Sequence, residues 1–192
     1  MRTRFILALP AALAIATPLH AQNLVLNGDF DESLEGWGVT GDPNMTAQWL
    51  PDDSHGDPQS GSLRVTNLSL GESNGVTVRQ CIPVNSGQQY TATGRLRIPS
   101  GDGQLITNHA RISLRWYDGA DCTIANGGPV NSASPGSFDT WVEQTVTATA
   151  RSGAHSAELR ALATKYPAGG SFAADFDAIT LTTPSIFRNG FD

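Results

Sequence analysis

The stretch Asn23-Leu24-Val25-Leu26-Asn27-Gly28-Asp29-Phe30-Asp31, followed shortly by Gly36-Trp37, is the most informative part of the sequence. It begins with a short apolar run and continues into a segment rich in Asn, Gly and Asp, which are turn residues. Near the other end, Asp175-Phe176-Asp177-Ala178-Ile179-Thr180-Leu181-Thr182 combines two acidic residues with an apolar run. We expect these two stretches to form the first and last strands of one fold.

The chain between them consists of short runs in which apolar and polar residues alternate, separated by clusters of Gly, Pro, Asn and Asp. The runs cover residues 76–82, 89–98, 110–117, 141–148 and 172–182. Alternation with a period of two indicates strands that are buried on one side only. Many short strands with turn residues between them are typical of an all-β sandwich or barrel.

The opening stretch, the Gly-Trp pair and the closing strand together resemble the galactose-binding-like jelly roll of carbohydrate-binding modules of families four, nine and twenty-two. The resemblance implies an all-β fold, a two-sheet antiparallel jelly-roll sandwich, over residues 22–183. It implies carbohydrate binding only as an expectation, because function depends on the site that a fold carries.

Two segments need separate interpretation. Residues 154–163 are rich in good helix formers, but Ala157, Leu159 and Ala161 also alternate with larger or charged residues. The family resemblance places a strand directly before the closing strand, and tertiary context often overrides propensity, so we predict a strand. Residues 126–137 are rich in Gly, Ser and Pro, and we predict a flexible loop.

The two ends of the chain are predicted to lie outside the sandwich. Residues 1–21 have the pattern of a signal peptide: Arg2 and Arg4, an apolar run over residues 5–16, and a small residue at Ala21. The run is too short for a stable membrane span, although an N-terminal anchor helix is a less favoured alternative. The tail, residues 184–192, follows the last predicted strand. We therefore expect a bacterial protein that is secreted, periplasmic or held at the cell surface.

The charge of the chain argues against two classes of partner. Twelve Lys and Arg stand against 18 Asp and Glu, a formal charge of −6, and Lys165 is the only lysine. Nucleic acids and anionic membranes are bound through clustered basic residues. The sequence contains no basic run, so we predict that neither is a partner.

The two cysteines, Cys81 and Cys122, are predicted to form a disulfide. Export to an oxidising compartment favours this pairing. A zinc site would need more Cys or His residues at close spacing, and the sequence has none.

Catalytic motifs are missing from the sequence. His55, His109 and His155 lie in no recognised nucleophile or metalloprotease motif. We therefore predict a protein that is not an enzyme. A small hydrolase remains a weaker alternative, which a cleft with two close carboxylates would favour.

A structural Ca²⁺ that joins the first strand to the last is implied by the resemblance. The matching positions are Asp31 and Asp177, although Asp31 replaces the usual Glu and Ala178 replaces a second Asp. Ca²⁺ prefers carboxylate and carbonyl oxygens. The alternative is that both aspartates have local structural roles. A second acidic cluster, residues 52–57, is predicted to be a solvated loop.

Sugar recognition would depend on exposed aromatic side chains with polar neighbours. Trp37 and Trp141 match core positions of the family, and Trp116 shares a strand face with apolar residues. Tyr117 falls on the opposite face together with Arg115. We therefore predict Trp49, Arg115 and Tyr117 as carbohydrate-binding residues, with Trp49 on a loop.

The leading hypothesis is an exported, non-catalytic carbohydrate-binding protein whose ligand is a polysaccharide or other glycan. The alternative is a structural or interaction protein of the cell envelope or extracellular matrix, which would use the same sandwich to contact other envelope proteins. An exposed apolar patch or an intact strand edge would favour this alternative.

Overall fold

The computed structural model describes residues 22–39, 43–73, 76–101, 104–166 and 170–184. The predicted signal peptide, residues 1–21, lies outside these ranges, and so does the predicted tail after Pro184. Within the described ranges the regular structure is entirely strand, and no helix is long and apolar enough to cross a membrane.

Ten strands form two antiparallel five-stranded sheets, so the predicted two-sheet all-β sandwich is confirmed. The first sheet has the strand order β1-β4-β9-β6-β7, and the second has the order β2-β3-β10-β5-β8. The strands are β1 (Gly38–Val39), β2 (Met45–Leu50), β3 (Ser62–Asn67), β4 (Val76–Pro83), β5 (Gln89–Arg97), β6 (His109–Tyr117), β7 (Val130–Asn131), β8 (Val142–Thr149), β9 (Ser156–Thr164) and β10 (Phe172–Thr182).

The core lies between the two sheets and is built from alternate residues of the long strands. Each strand sends every second side chain inward, which is the pattern that the sequence predicts. Burying one such aliphatic or aromatic side chain stabilises the fold by about 1.5–3 kcal/mol. The largest apolar side chains with almost no exposure are Phe30, Leu63, Tyr90, Leu96, Ile98, Ile112, Leu114, Trp116, Leu159, Phe172 and Phe176.

Strand β9 confirms the prediction made for residues 154–163 against their helix propensity. It lies in the first sheet between β4 and β6, with antiparallel neighbours on both sides. Ala157, Leu159 and Ala161 face the core and are completely buried. Two strand neighbours and a buried face outweigh a helix preference of a few tenths of a kcal/mol per residue.

Two expectations about the surface were wrong. Residues 126–137 are not entirely loop, because β7 pairs with β6 through Val130 and Asn131. Trp141 is only half-buried and lies outside the core cluster, whereas Trp37 and Trp116 are buried as predicted. Trp141 directly precedes β8 on the outer side of the second sheet, where the Arg97 guanidinium carbon lies 4.5 Å from its ring centroid.

The prediction that residues 23–31 form the first strand is wrong, because this segment runs beside β10 without being a regular strand. The Leu24 amide donates to the Leu181 carbonyl at 2.9 Å, and the Ile179 amide donates to the Gly28 carbonyl at 2.9 Å. The chain turns around the second contact, with positive φ at Asn27 before it and at Phe30 after it. A Cβ on Gly28 would lie 1.9 Å from the Ile179 carbonyl oxygen, so this approach requires glycine.

The predicted disulfide between Cys81 and Cys122 is confirmed, with an S–S distance of 2.07 Å. It joins β4 to the loop that follows β6, across a sequence separation of 41 residues. In the chain-entropy model a loop of this length corresponds to about 3–4 kcal/mol of stabilisation.

We predict that Gly28→Ala destabilises the protein by about 1–3 kcal/mol, because the added methyl group forces the opening segment away from β10. The measurement is the free energy of unfolding in urea. Gly71→Ala is the matched control, since a Cβ there meets no atom within 4 Å. Equal stability of the two variants would contradict the conclusion that the contact between Gly28 and Ile179 requires glycine.

Candidate functional site

The outer face of the first sheet carries a cluster of polar side chains from its three long strands. The register places Arg79 of β4 opposite Arg160 of β9, which in turn lies opposite Ser113 of β6. Ser113, Glu158 and Arg160 point away from the core, and yet all three are buried. The face is therefore the floor of a recess, which we call the sheet recess.

Two depressions open onto the sheet recess. One, of about 340 Å³, is lined by Arg111, Pro129, Asn131, Arg160, Leu162, Thr164 and Tyr166. The other, of about 480 Å³, includes Arg79, Glu158, Asp121 and the two disulfide cysteines among its lining residues. They adjoin on β9, because Glu158 and Arg160 are successive outward residues of that strand.

Several buried polar atoms in the sheet recess have no partner. Among the described residues, five buried side-chain nitrogen or oxygen atoms make no hydrogen bond. Four of them belong to outward residues of β6, namely His109 Nδ1, Arg111 Nε, Ser113 Oγ and Arg115 Nε. Leaving such a group unpaired costs about 1–3 kcal/mol. Their position along one strand makes β6 the candidate strand for contact with a polar ligand.

Arg115 and Tyr117 lie on the predicted face, but Tyr117 is not an open platform. Its side chain is only 7% exposed, and the Arg115 guanidinium carbon lies 5.5 Å from its ring centroid. Its hydroxyl accepts a hydrogen bond from Arg160 Nη2 at 2.8 Å. Tyr117 therefore supports the two arginines, and its ring offers little surface for a sugar to stack on.

The aromatic ring that the recess does present is Tyr166, which is 38% exposed. Its ring lies edge-on against His109, with 4.8 Å between centroids. Burial and the charge of Arg111 lower the pKa of His109, which keeps its imidazole neutral at pH 7. Sequence reasoning missed Tyr166 as a main candidate because it follows β9 outside any alternating run.

Trp49 was predicted on a loop, and this is wrong. It lies in β2, which pairs with β3 as far as Leu50. Its indole Nε1 donates to the Phe30 carbonyl at 2.8 Å, and its half-buried ring packs against the core. The indole nitrogen is therefore used in anchoring the N-terminal segment.

A second polar site lies beside the bulge in β10. The register of β10 with β5 shifts between Asp177 and Thr180, and Ala178 has a φ of 48°. This bulge directs the Asp177 carboxylate toward the loop after β2. Asp177 Oδ2 accepts a hydrogen bond from the Ser54 amide at 2.7 Å, and Oδ1 accepts one from the Ala178 amide at 2.6 Å.

Asp53, His55 and Asp177 form a cluster whose potential metal-ligating atoms lie within 4.8 Å of one another. Asp177 is completely buried, and burial raises its pKa to about 6 despite the hydrogen bonds from Ser54 and Ala178. Burial acts in the same direction on Asp53, but amide donors from Asp57 and His55 outweigh it and lower the Asp53 pKa.

Asp31, predicted to join Asp177 at a calcium site, does not belong to this cluster. It is exposed and lines a cleft of about 270 Å³ with Asp29, Asp53, His55, Asp57 and Ser60. Burial and the nearby Asp31 charge raise the pKa of Asp29. The loop over residues 52–57, expected to be merely solvated, thus supplies the side chains nearest to Asp177.

Comparison with known proteins finds similarity in structure only. No protein-family model matches the sequence, and no curated protein is similar enough to match. The second of the family 16 carbohydrate-binding modules shares 15% identity, with a TM-score of 0.56 over 83% of this chain and 99% of that one. The CBM22-2 xylan-binding domain of Xyn10C from Paenibacillus barcinonensis shares 11% identity, with a TM-score of 0.55 over 81% and 97%.

Larger enzymes contain a similar sandwich as one part of their length. The enzymatically active domain of tailspike protein 4 from bacteriophage CBA120 has a TM-score of 0.61 and 16% identity over 84% of this chain, which spans only 21% of the tailspike chain. At these identities the similarity concerns the fold. The chain has the β-sandwich fold of carbohydrate-binding modules, and the resemblance predicted from its sequence is confirmed at that level.

Proposed function

We propose that this protein is an exported, non-catalytic carbohydrate-binding protein that holds a polysaccharide in the sheet recess. The observation that carries the proposal is the pair of half-buried arginines on β6, Arg111 and Arg115, whose side chains have no ion-pair partner among the described residues and whose Nε atoms make no hydrogen bond. Sugar hydroxyls both donate and accept hydrogen bonds, so a glycan in the recess would pair with the guanidinium groups. The fold of carbohydrate-binding modules supports the same conclusion.

The absence of catalysis is part of the proposal and rests on the arrangement of carboxylates. Glycosidases use two carboxylates that flank the scissile bond. Among the described strand residues of the recess, Glu158 is the only acidic one, and it is held between Arg79 and Arg160. Asp53 and Asp177 lie close together elsewhere, but the buried Asp177 does not line the neighbouring cleft and cannot contact a substrate.

The proposal has two further parts, namely that the protein is exported and that it holds a structural calcium ion. The disulfide supports an oxidising compartment. Asp53 and Asp177 fit a hard divalent cation, because two adjacent carboxylates, one of them buried, have no ion-pair partner among the described residues. These two residues would hold Ca²⁺, with Asp31 at the rim of the cleft, and the ion would stabilise the contact between the β10 bulge and the loop after β2.

We predict that Arg111→Ala, Arg115→Ala and Tyr166→Ala each weaken retention on the bound polysaccharide about tenfold or more, because each removes a half-buried guanidinium or the exposed ring. The measurement is a pull-down with insoluble polysaccharides, using the full chain expressed for export. Ser113→Ala should leave the melting temperature unchanged or raise it, since the variant loses a buried hydroxyl without a partner.

Arg151→Ala is the matched control for this experiment. Arg151 is exposed in the turn between β8 and β9, outside the sheet recess. If the wild type binds a polysaccharide and none of the three recess variants weakens it, the recess is not the binding site. If the wild type binds no polysaccharide, the interaction-protein alternative replaces the proposal.

We predict that the metal-free wild type loses stability as the pH rises from 4 to 7 and that Asp177→Asn removes this pH dependence. A folded pKa of about 6 lies above the usual 3.8, so the folded state holds a proton that the unfolded state releases between these values. The wild type therefore loses up to about 2–3 kcal/mol between pH 4 and pH 6, and the variant does not. Unfolding in urea with EDTA at pH 4 and pH 7 measures this, with the exposed Asp31→Asn as control. A stability difference that does not change with pH would contradict the prediction.

We predict that Ca²⁺ raises the melting temperature of the wild type and has no effect on Asp177→Asn. A cation at 100 times its Kd stabilises the folded state by about 2.7 kcal/mol. Thermal melts in EDTA, Ca²⁺, Mg²⁺ and Zn²⁺ test this. Stabilisation by Zn²⁺ alone would replace calcium with a His55-ligated transition metal, and an equal shift in both proteins would place the ion elsewhere.

A further inference from the structure

Resting on the proposed function, we infer that the ligand of the sheet recess is an acidic polysaccharide whose uronic acid carboxylates bind Arg111 and Arg115. The outward positions of β4, β6 and β9 carry four arginines, Arg79, Arg111, Arg115 and Arg160, against one glutamate, Glu158. The chain as a whole has a formal charge of −6. Asp121 lines the depression beside Glu158 and adds one more carboxylate, so the recess has four arginines against two carboxylates and is a positive surface on a negative protein. Such a surface attracts anions.

The single glutamate pairs with two of these arginines, and its one negative charge offsets one of their two positive charges. Glu158 Oε2 accepts from Arg79 Nη1 at 2.5 Å, and its other oxygen pairs with Arg160 Nε. The same Arg160 donates through Nη2 to the Tyr117 hydroxyl. Glu158 is only 1% exposed and uses both of its oxygens on Arg79 and Arg160, and it makes no ion pair with Arg115, which lies opposite it in the register of β6 with β9.

The side chains of Arg111 and Arg115 have neither an ion pair nor a hydrogen bond among the described residues. Both also have a buried Nε with no acceptor. The two terminal nitrogens of each guanidinium form a planar fork that a carboxylate fills with two parallel hydrogen bonds. The two residues are four positions apart on one strand, about 13 Å along β6, so one extended ligand would carry a carboxylate to each.

The neighbouring groups favour a sugar acid over an acidic peptide. Tyr166 presents an exposed ring in the same depression as Arg111, and its neutral neighbour His109 adds no charge. A pyranose ring offers a flat C–H face to such a ring while its carboxylate reaches the guanidinium. Asn131 and Thr164 in the same depression supply neutral hydrogen-bonding groups suited to hydroxyls.

The test compares polygalacturonate with its fully methyl-esterified form, which keeps the sugar and removes the charge. Affinity electrophoresis of the full chain should show at least about tenfold stronger retardation by the acid form, since a charge-assisted hydrogen bond contributes about 1.5–3 kcal/mol. Added salt should weaken the interaction. Arg111→Gln and Arg115→Gln should each remove most of the preference, whereas Arg151→Gln should keep it.

Four further results separate this inference from the proposed function. Equal binding of the acid and ester forms, or binding of neutral xylan alone, overturns the acidic ligand and leaves carbohydrate binding intact. If dextran sulfate binds more strongly than polygalacturonate, the claim that the recess prefers carboxylates is wrong. If polyglutamate binds as strongly as polygalacturonate, the claim that the acidic ligand is a sugar is wrong. Binding to none of the polysaccharides removes the proposed function itself.

Discussion

The close approach of Gly28 to the Ile179 carbonyl is the constraint on which the surrounding structure depends. It allows the N-terminal segment to lie against β10 at the position where that strand bulges. The bulge places Ala178 at positive φ and directs Asp177 toward Ser54. One residue without a side chain thus connects three segments that are far apart in the sequence. The buried carboxylate of Asp177 is a consequence of that backbone geometry and costs stability unless a proton or a cation neutralises it.

Much of the fold could be predicted because its information is local. Alternation identifies the long strands, and it assigns Leu159 inward and Arg160 outward even in a segment with helix propensity. The disulfide between Cys81 and Cys122 followed from the presence of two cysteines in a chain expected to be exported. Irregular backbone was harder to predict, because β7 has only two residues and its pairing depends on where the loop returns to β6.

The candidate site was only partly predictable, because it depends on which strands become neighbours. Alternation placed Arg115 and Tyr117 on one face, as the structure has them. Alternation does not show that β9 lies beside β6 and brings Arg160 to the Tyr117 hydroxyl. Tyr117 was therefore predicted to contact sugar, whereas in the structure it holds Arg160 in place. For the same reason Trp49 was expected on a loop. The length of β2 is determined by its pairing with β3, which the sequence does not state.

The two sheets use arginine in opposite ways, and this contrast bears most directly on function. On the outer face of the second sheet, Arg64 and Arg97 both pair with Asp175, whose side chain is completely buried beneath them, and Arg97 also pairs with Asp52. In that network two arginines pair with two aspartates, so neither guanidinium lacks a counter-charge that a ligand would supply. On the first sheet the same kind of recessed strand surface has no carboxylate paired with Arg111 or Arg115 among the described residues, and Arg115 rests on an aromatic ring instead. Because both faces belong to one acidic chain, composition cannot account for the difference. Our proposal is that the missing counter-charge at Arg111 and Arg115 makes the first sheet a ligand-binding surface, whereas the pairing of Arg64 and Arg97 with Asp175 serves to hold the second sheet together.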